Sequence, residues 1–509
     1  QLSYQIYQLI KRLTKAEKRH FKLYVKRNSA EKEPIIVKLF NAFDKQNELD
    51  EEKISKAFSH LKSNTFSNHR ANLYEQLLSS IRLLHNDDPS IRIKELISYA
   101  DVLHSKGLYQ QSLIQLNRAK QLANKNKKDI LKLEIIELEK KIETRYVTGS
   151  TPDRAGELTE ESRQLRHQFY FNGSWSDLAL QLYDYHLKFG PVKREEQQKE
   201  VSSFFKEKAP KNEGSLGSDT IYYYQSLVWY YHIIQNFPLC YKYAKHWCEL
   251  FERDTIMVEE EPEMYIRGFH NVLSSLFFCD DVVRFRKELS SLETFVYSKE
   301  ESFNENQLIQ AFTYLETGKL NLFFLEGKFT EGAAYCNVFE EKLTQYESHI
   351  DTHRKLVFQY KMASLKFGSG DYHGSLKNLN SIINNPVSTL KEDIQSYARF
   401  LSLIVHYELG NDDLIYFQIK STYRFMLKLK DFQKVHAAIF KFLRKSIYVD
   451  RKSLIPYFEE LREELIQVIE DKYERRPMLY LDIISWLESK IYDRPVEEII
   501  RTKKVRKGA

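Results

Sequence analysis

The chain has few of the residues that interrupt helices. Its 509 residues include 16 glycines and 11 prolines, well below the ordinary usage of about 7% and 5%. This shortage argues against a loop-rich fold and favours long helices joined by short turns. Hydrophobic residues make up 42% of the chain, enough to bury a core, which argues against a wholly disordered protein.

Cysteines and long apolar runs are scarce as well. The four cysteines, Cys240, Cys248, Cys279 and Cys336, form no CxxC pair and lie in apolar helical surroundings. We therefore expect buried, reduced thiols and a reducing compartment. No apolar run approaches the roughly 18 to 20 residues that span a bilayer, and the opening residues lack the pattern of a signal peptide. We expect a cytoplasmic protein without a membrane span.

Familiar catalytic motifs are missing. The sequence contains no GxxxxGK[ST] loop, no GxSxG elbow and no HExxH helix, which argues against the enzymes that use them. Cys240 and Cys248 would fall about 80° apart around a helix, a poor arrangement for sharing one zinc ion. The sequence predicts no enzyme, no cofactor and no metal site.

The positive charge lies at the two ends of the chain. Residues 1–86 carry 16 basic and nine acidic side chains, a net +7, and the last nine carry five basic residues and no acid. Since the total is +6, residues 87–500 carry −6. We expect a basic helical N-terminal domain over 1–86 and a basic tail over 501–509. The tail is either a further contact for an anionic partner or a disordered end.

The N-terminal region has clear helix signals. Thr14 and Glu17 form a capping box that predicts a helix from about Lys15. Pro34 suits the start of the next helix, and two more helices are expected before a boundary at "HNDDPS", residues 85–90.

From about residue 91 a turn pattern recurs. A glycine is followed by an aromatic residue two positions later and a small residue five positions later: Gly107 with Tyr109, Gly327 with Phe329, and Gly370 with Tyr372. Weaker copies start at Gly173, Asn236 and Gly410, the first with Trp175 and the second with Ala244. We interpret each copy as the turn of a helical hairpin, in which glycine reverses the chain and the small residue lets the helices approach.

These turns resemble those of the tetratricopeptide repeat (TPR), which read Gly-x-Tyr-x-x-Ala. The clear matches are "SKGLYQQSL", "LEGKFTEGA" and "GSGDYHGSL", although the later spacing of about 40 to 47 residues exceeds the usual 34. With "LTKAEKRHFKLY" and "NLYEQLLSSIRLL", the chain also resembles uncharacterised TPR-containing bacterial proteins of the Bacteroidota type. The resemblance implies an all-α fold with a TPR-like α-solenoid over 91–500. The segment "KAPKNEGSLGSDT", residues 208–220, has the composition of a loop, and we expect it as the place where the array could divide into two halves.

Lysines repeat at helical spacing near the start of the chain. Residues 14–27 hold six lysines and arginines, and the candidate contact comprises Lys11, Lys15, Lys18, Arg19, Lys22 and Lys26. On one helix these residues would form a stripe. The stripe is either a solvated face or a contact for a polyanion or acidic partner. Meeting about five phosphates would give a salt slope near −4.5.

A second candidate is "IYYYQSLVWYYHII", residues 221–234. Its Tyr223, Trp229 and Tyr230 are candidates for a partner groove on the concave side of the array. The alternative is that they pack between neighbouring hairpins.

Together these features predict a non-enzymatic scaffold or adaptor that binds a protein or peptide. The rival hypothesis is a nucleic-acid-associated regulator, in which Asn68, His69 and Arg70 would begin a recognition helix. Self-association is also open, because a solenoid exposes apolar ends.

Overall fold

The computed structural model describes residues 1–29, 34–145, 153–211, 220–346, 349–385, 392–429, 434–446, 448–449, 453–471, 473–474 and 482–508. Within these ranges there are 25 α-helices and no β-strand, which confirms the all-α prediction. The chain divides into two compact units, Gln1–Phe169 and Tyr170–Ala509.

Helices α1 to α8 belong to the first unit. They are α1 (Leu2–Arg12), α2 (Lys15–Arg27), α3 (Ile35–Asp44), α4 (Glu51–Ala57), α5 (Ser63–Leu84), α6 (Pro89–Ser105), α7 (Tyr109–Lys125) and α8 (Asp129–Glu143). The capping box at Thr14 and Glu17 is present, and Pro34 is the N-cap of α3. Residues up to Ile81 share one hydrophobic cluster, and a second begins at Ile93. The domain boundary at residues 85–90 stays a prediction.

One long helix, α9 (Arg154–Phe189), runs from the first unit into the second. The turn predicted at Gly173 is therefore wrong. Gly173 lies inside α9, and Trp175 is buried against Tyr223 rather than opening a new helix. A single glycine weakens a helix by only about 1 kcal/mol, which helical neighbours on both sides overcome.

Helices α10 to α25 lie in the second unit. They are α10 (Glu195–Lys208), α11 (Ile221–Ile233), α12 (Phe237–Arg253), α13 (Thr255–Glu260), α14 (Pro262–Phe278), α15 (Val282–Lys299), α16 (Glu305–Glu326), α17 (Phe329–Tyr346), α18 (Thr352–Gly368), α19 (Tyr372–Ile383), α20 (Glu392–Glu408), α21 (Asp412–Leu429), α22 (Lys434–Ser446), α23 (Ile455–Val468), α24 (Ile483–Tyr492) and α25 (Val496–Gly508). A 3-10 turn, Glu300–Ser302, follows α15. Residues 208–220 lie inside this unit, and 212–219 are outside the described residues.

The turns between paired helices share one geometry. Gly107, Gly327, Gly370 and Gly410 have positive φ, as do Gln235 and Asp280 at the corresponding positions of other turns. The residue after each donates its amide N–H to the carbonyl five residues earlier, over 2.8–3.1 Å. This hydrogen bond satisfies a carbonyl at the end of the first helix while the chain reverses. From Gln235 onward the turns recur every 40 to 47 residues, as the sequence predicts.

The small residue at the fifth position is buried between the two helices. Ser112 and Ser375 are fully buried, and each hydroxyl donates to the carbonyl twelve residues earlier, Ala100 or Ala363, over 2.8 Å. At Gly332 an added Cβ would lie 2.9 Å from Leu365 Cδ2. In the turn at Gln235 the residue at this position is Cys240, whose thiol donates to Val228 O over 3.5 Å. From the sequence, Ala244 was predicted to be the small residue of this turn, and that prediction is wrong. Cys240 was not recognised because the turn residue, Gln235, is not a glycine.

Alternate helices of the second unit pack on one another. Helix α12 contacts α14, α14 contacts α16, α16 contacts α18 and α18 contacts α20, in addition to the contacts within each hairpin. One hydrophobic cluster extends from Tyr224 to Met362 and Leu365, and a second from Leu356 to Leu487.

The described part of the basic tail is helical rather than disordered. Residues 501–508 belong to α25, which packs on the turns at Asp280 and Gly327. Lys504 Nζ lies 2.9 Å from Asp280 Oδ1, Lys503 Nζ lies 2.8 Å from Glu488 Oε2, and Arg501 donates to Gly327 O over 3.2 Å. These side chains are therefore engaged by the protein's own carboxylates and carbonyl.

All four cysteines are free thiols, and Cys240, Cys248 and Cys336 are buried while Cys279 is partly buried. This confirms the expectation of reduced, largely buried thiols. Among the described residues, no helix is both long and apolar enough to cross a membrane.

Candidate polyanion-binding cleft on the N-terminal helices

The α2 cleft is an open depression of about 320 Å³ on the first unit. It is lined by Lys15, Lys18, Arg19, Lys22, Leu23, Lys26 and Asp44. Among the described residues, five cations thus line one surface with a single carboxylate. Every residue of the predicted stripe except Lys11 lines this cleft.

The exception is Lys11, which lies on α1 and not on α2. Helix α1 ends at Arg12, and the chain is extended at Leu13 before α2 begins at Lys15. A continuous stripe from Lys11 to Lys26 on one helix is therefore wrong. Lys11 Nζ instead donates to the carbonyl of Asp44 over 2.8 Å, where the end of α3 concentrates negative partial charge.

The opposite face of α2 fixes the orientation of the cleft. Phe21 and Val25 are buried, and the Phe21 ring centroid lies 4.9 Å from that of Phe40 on α3. Because residues three and four apart share a helix face, this anchoring leaves Lys15, Arg19 and Lys26 exposed to solvent.

The cations of the cleft differ in whether they already have a partner within the protein. Lys18 Nζ lies 2.7 Å from Asp44 Oδ1, and Lys22 Nζ lies 5.2 Å from the centre of the Phe40 ring. Within the described part of the chain, Lys15, Arg19 and Lys26 form no ion pair or side-chain hydrogen bond. These three are the side chains that an anionic partner can reach without displacing an internal partner.

The acid on α2 is held away from these cations. Glu17 accepts hydrogen bonds from the Thr14 backbone over 2.7 Å and from His85 over 3.0 Å. Burial alone would raise the pKa of Glu17, but the hydrogen bonds from His85 and Thr14 outweigh it and the pKa is lowered. The carboxylate therefore stays charged and occupied at the helix start.

The proposed recognition helix is not supported by the position of its residues. Helix α5 begins at Ser63, so Asn68, His69 and Arg70 lie in its second turn rather than at its N-terminus. Arg70 is partly buried, donates to Ser3 Oγ over 2.7 Å and stacks on Phe66. Its guanidinium is thus committed to the first unit's own packing.

The aromatic segment of α11 is packed between helices of the second unit. Tyr223 contacts Trp175 with ring centroids 4.9 Å apart, and Trp229 contacts Tyr183 at 5.0 Å. Tyr230 stacks on the Phe205 ring at 4.3 Å, and its hydroxyl donates to Ser202 over 3.0 Å. All three candidate residues are partly buried, and these contacts favour the packing interpretation over an open partner groove.

The turn candidates also have structural roles. Gly107, Gly327 and Gly370 reverse the chain, and Tyr109, Phe329 and Tyr372 are the first residues of α7, α17 and α19.

No protein-family model matches the chain, and no curated protein matches its sequence.

Proposed function

We propose that the protein is a non-enzymatic interaction scaffold. In this proposal the helical hairpins of the second unit form a TPR-like solenoid, and the α2 cleft binds an acidic segment of a protein partner in the cytoplasm. The observation that carries the proposal is the α2 cleft, where five cations face one carboxylate among the described side chains. The uniform turns, with their buried small residues, support the TPR-like interpretation.

An acidic protein segment fits the lining better than a nucleic-acid backbone. Leu23, which is 46% exposed, lies among the cations and offers an apolar contact for a peptide side chain. Four of the five cations are lysines, whereas arginine is the residue that recognises phosphate in a bidentate manner. In the part of the chain that the structure describes, no aromatic side chain lines the cleft to stack on bases.

A nucleic-acid-associated regulator is the second candidate function. It is favoured by the spacing of Lys15, Arg19, Lys22 and Lys26 along successive turns of one helix, which can follow a row of phosphates.

The experiment compares two fluorescent probes of equal length and charge, a glutamate-rich peptide and an oligonucleotide. Fluorescence anisotropy is measured with the wild-type protein and with a cleft variant carrying Lys15→Gln, Arg19→Gln and Lys26→Gln. A matched control variant carries Lys53→Gln, Lys94→Gln and Lys106→Gln, three exposed lysines with no ion pair in the described residues.

The scaffold proposal predicts tighter binding of the peptide, lost in the cleft variant and kept in the control. Tighter binding of the oligonucleotide with the same dependence on the cleft would replace it with the second function. Equal binding by both variants would refute both functions for this cleft.

A further inference from the structure

Helix α23 is the most acidic of the described helices. Its 14 residues, IPYFEELREELIQV, hold four glutamates and one arginine, a net charge of −3. Helix α2 is the most basic, with six lysines and arginines against one glutamate, a net charge of +5. The two extremes of helix charge therefore occur in the same chain, and complementary charge on two surfaces steers proteins into contact.

The glutamates of α23 face two directions. Glu460 and Glu464 face α22, where Lys441 Nζ lies 3.8 and 3.6 Å from their carboxylates. Glu459 and Glu463 are exposed, and in the described part of the chain they form no ion pair or side-chain hydrogen bond. One pair of carboxylates is thus engaged within the second unit, and the other pair is available to a partner.

Two apolar side chains share the exposed side of α23. Ile455 is 45% exposed and Ile466 is 39% exposed. Positions 455, 459, 463 and 466 are separated by four, four and three residues, so they lie along one face of the helix. Another exposed acid, Glu470, follows in the turn after the helix ends. We call this surface the α23 face, and it consists of Ile455, Glu459, Glu463, Ile466 and Glu470.

The unpaired cations of the α2 cleft repeat the spacing of these carboxylates. Lys15 and Arg19 are four residues apart, and Lys26 follows Arg19 by seven. The three carboxylates of the α23 face have the same separations, four and seven residues. Four residues of helix rise by about 6 Å, so a parallel alignment brings the first two cations beside the first two carboxylates and the third beside the turn that carries Glu470.

The same alignment also matches the apolar groups. Leu23 is 46% exposed and lies between the second and third cations of the cleft. Ile466 lies between the second and third carboxylates of the α23 face. Charge and apolar surface therefore agree in a single register, in which Leu23 contacts Ile466.

We propose that the acidic segment bound by the α2 cleft is the α23 face of a second copy of this chain. The inference rests on the proposed function of the cleft and names its partner. Since the cleft and the α23 face are different surfaces, two copies that exchange both contacts close into a dimer, and other arrangements add further copies. Exposed ion pairs are individually weak and are screened by salt, so we expect association at low ionic strength that salt disrupts.

The test is sedimentation velocity of the full chain over a dilution series, at low salt and in about 0.5 M sodium chloride. A cleft-reversed variant carries Lys15→Glu, Arg19→Glu and Lys26→Glu. A face-reversed variant carries Glu459→Lys, Glu463→Lys and Glu470→Lys. The matched control changes the net charge equally, through Glu259→Lys, Glu301→Lys and Glu341→Lys, at exposed glutamates with no ion pair in the described residues.

We expect the wild type and the control to self-associate at low salt. Either reversed variant alone should raise the dissociation constant by at least about tenfold, through the loss of three exposed ion pairs. An equal mixture of the two reversed variants should associate again, because the reversed cleft then meets the reversed face and the native cleft meets the native face. This recovery also shows that both variants are folded, in addition to their far-UV circular dichroism.

A monomeric wild type, equal association of all variants, or a mixture that stays dissociated would overturn the proposal. Anisotropy with the glutamate-rich peptide separates this failure from that of the proposed function. Peptide binding that needs the cleft, without self-association, refutes the second copy as partner and keeps the function. Absence of both peptide binding and self-association refutes the function itself.

Discussion

Gly370 provides a quantitative test of the shared turn. Its φ is +86°, and a Cβ built there would meet nothing within 4 Å. Gly370→Ala therefore introduces no clash, and its cost is confined to the left-handed backbone, roughly 1–2 kcal/mol for a residue with a Cβ. The reduced flexibility of the unfolded chain offsets about 0.4–1 kcal/mol of this. The free energy of unfolding of Gly370→Ala is therefore expected to be about 1 kcal/mol lower than that of the wild type.

Gly173 is the matched control for this substitution. It also has open space around its Cβ, but it lies inside α9. Gly173→Ala should therefore stabilise the protein by about 0.5–1 kcal/mol, the ordinary difference between glycine and alanine in a helix. The same chemical change thus has opposite signs at the two sites.

Urea unfolding followed by far-UV circular dichroism measures both variants. The midpoint should fall for Gly370→Ala, fall less for Gly370→Asn because asparagine tolerates this conformation, and rise for Gly173→Ala. A Gly370→Ala protein as stable as the wild type, or a destabilised Gly173→Ala protein, would refute the assignment of turn and helix.

Three further outcomes follow from buried groups. Ser375→Ala should lose about 1 kcal/mol of stability with its buried hydrogen bond to Ala363 O, measured by urea unfolding, whereas the stability of the exposed Ser298→Ala variant should not change. Equal stability of the two variants would contradict the contribution of this hydrogen bond. At most Cys279 should react with a thiol reagent in the native protein at pH 8, because three cysteines are buried and burial raises the pKa of Cys240 to about 12; rapid labelling of all four would be incompatible with this packing. Burial lowers the pKa of His436 from 6.5 to about 4, so the unfolded chain binds the extra proton and stability falls as the pH drops from about 6.5 to about 4. The urea midpoint of the His436→Phe variant should therefore depend less on pH than that of the wild type. If the two midpoints depend on pH equally, His436 does not contribute to this pH dependence.

Local signals in the sequence were sufficient for much of the fold. The capping box at Thr14, the proline before α3 and the glycines at 107, 327 and 370 act within one helical turn, so their effects can be predicted without tertiary structure. Gln235 and Asp280 show the limit of that approach. Both have positive φ, and Gln235 is also held by a hydrogen bond from its side chain to Val192 O over 2.8 Å, a contact between residues distant in sequence.

The candidate sites depended more strongly on tertiary packing. Periodicity predicted the common surface of Lys15, Arg19 and Lys26 but not the break at Leu13 that places Lys11 on another helix.

The most direct test of the central claim is the affinity of the α2 cleft for a glutamate-rich peptide at a series of salt concentrations. Lys15, Arg19 and Lys26 would each contribute about 0.5–1 kcal/mol as exposed charge contacts, so removing all three should weaken binding about tenfold to hundredfold at low salt. The difference between wild type and cleft variant should shrink as salt screens the charges. If the cleft variant and the Lys53, Lys94 and Lys106 control variant lose affinity equally, binding reflects net charge alone and the α2 cleft is not the site.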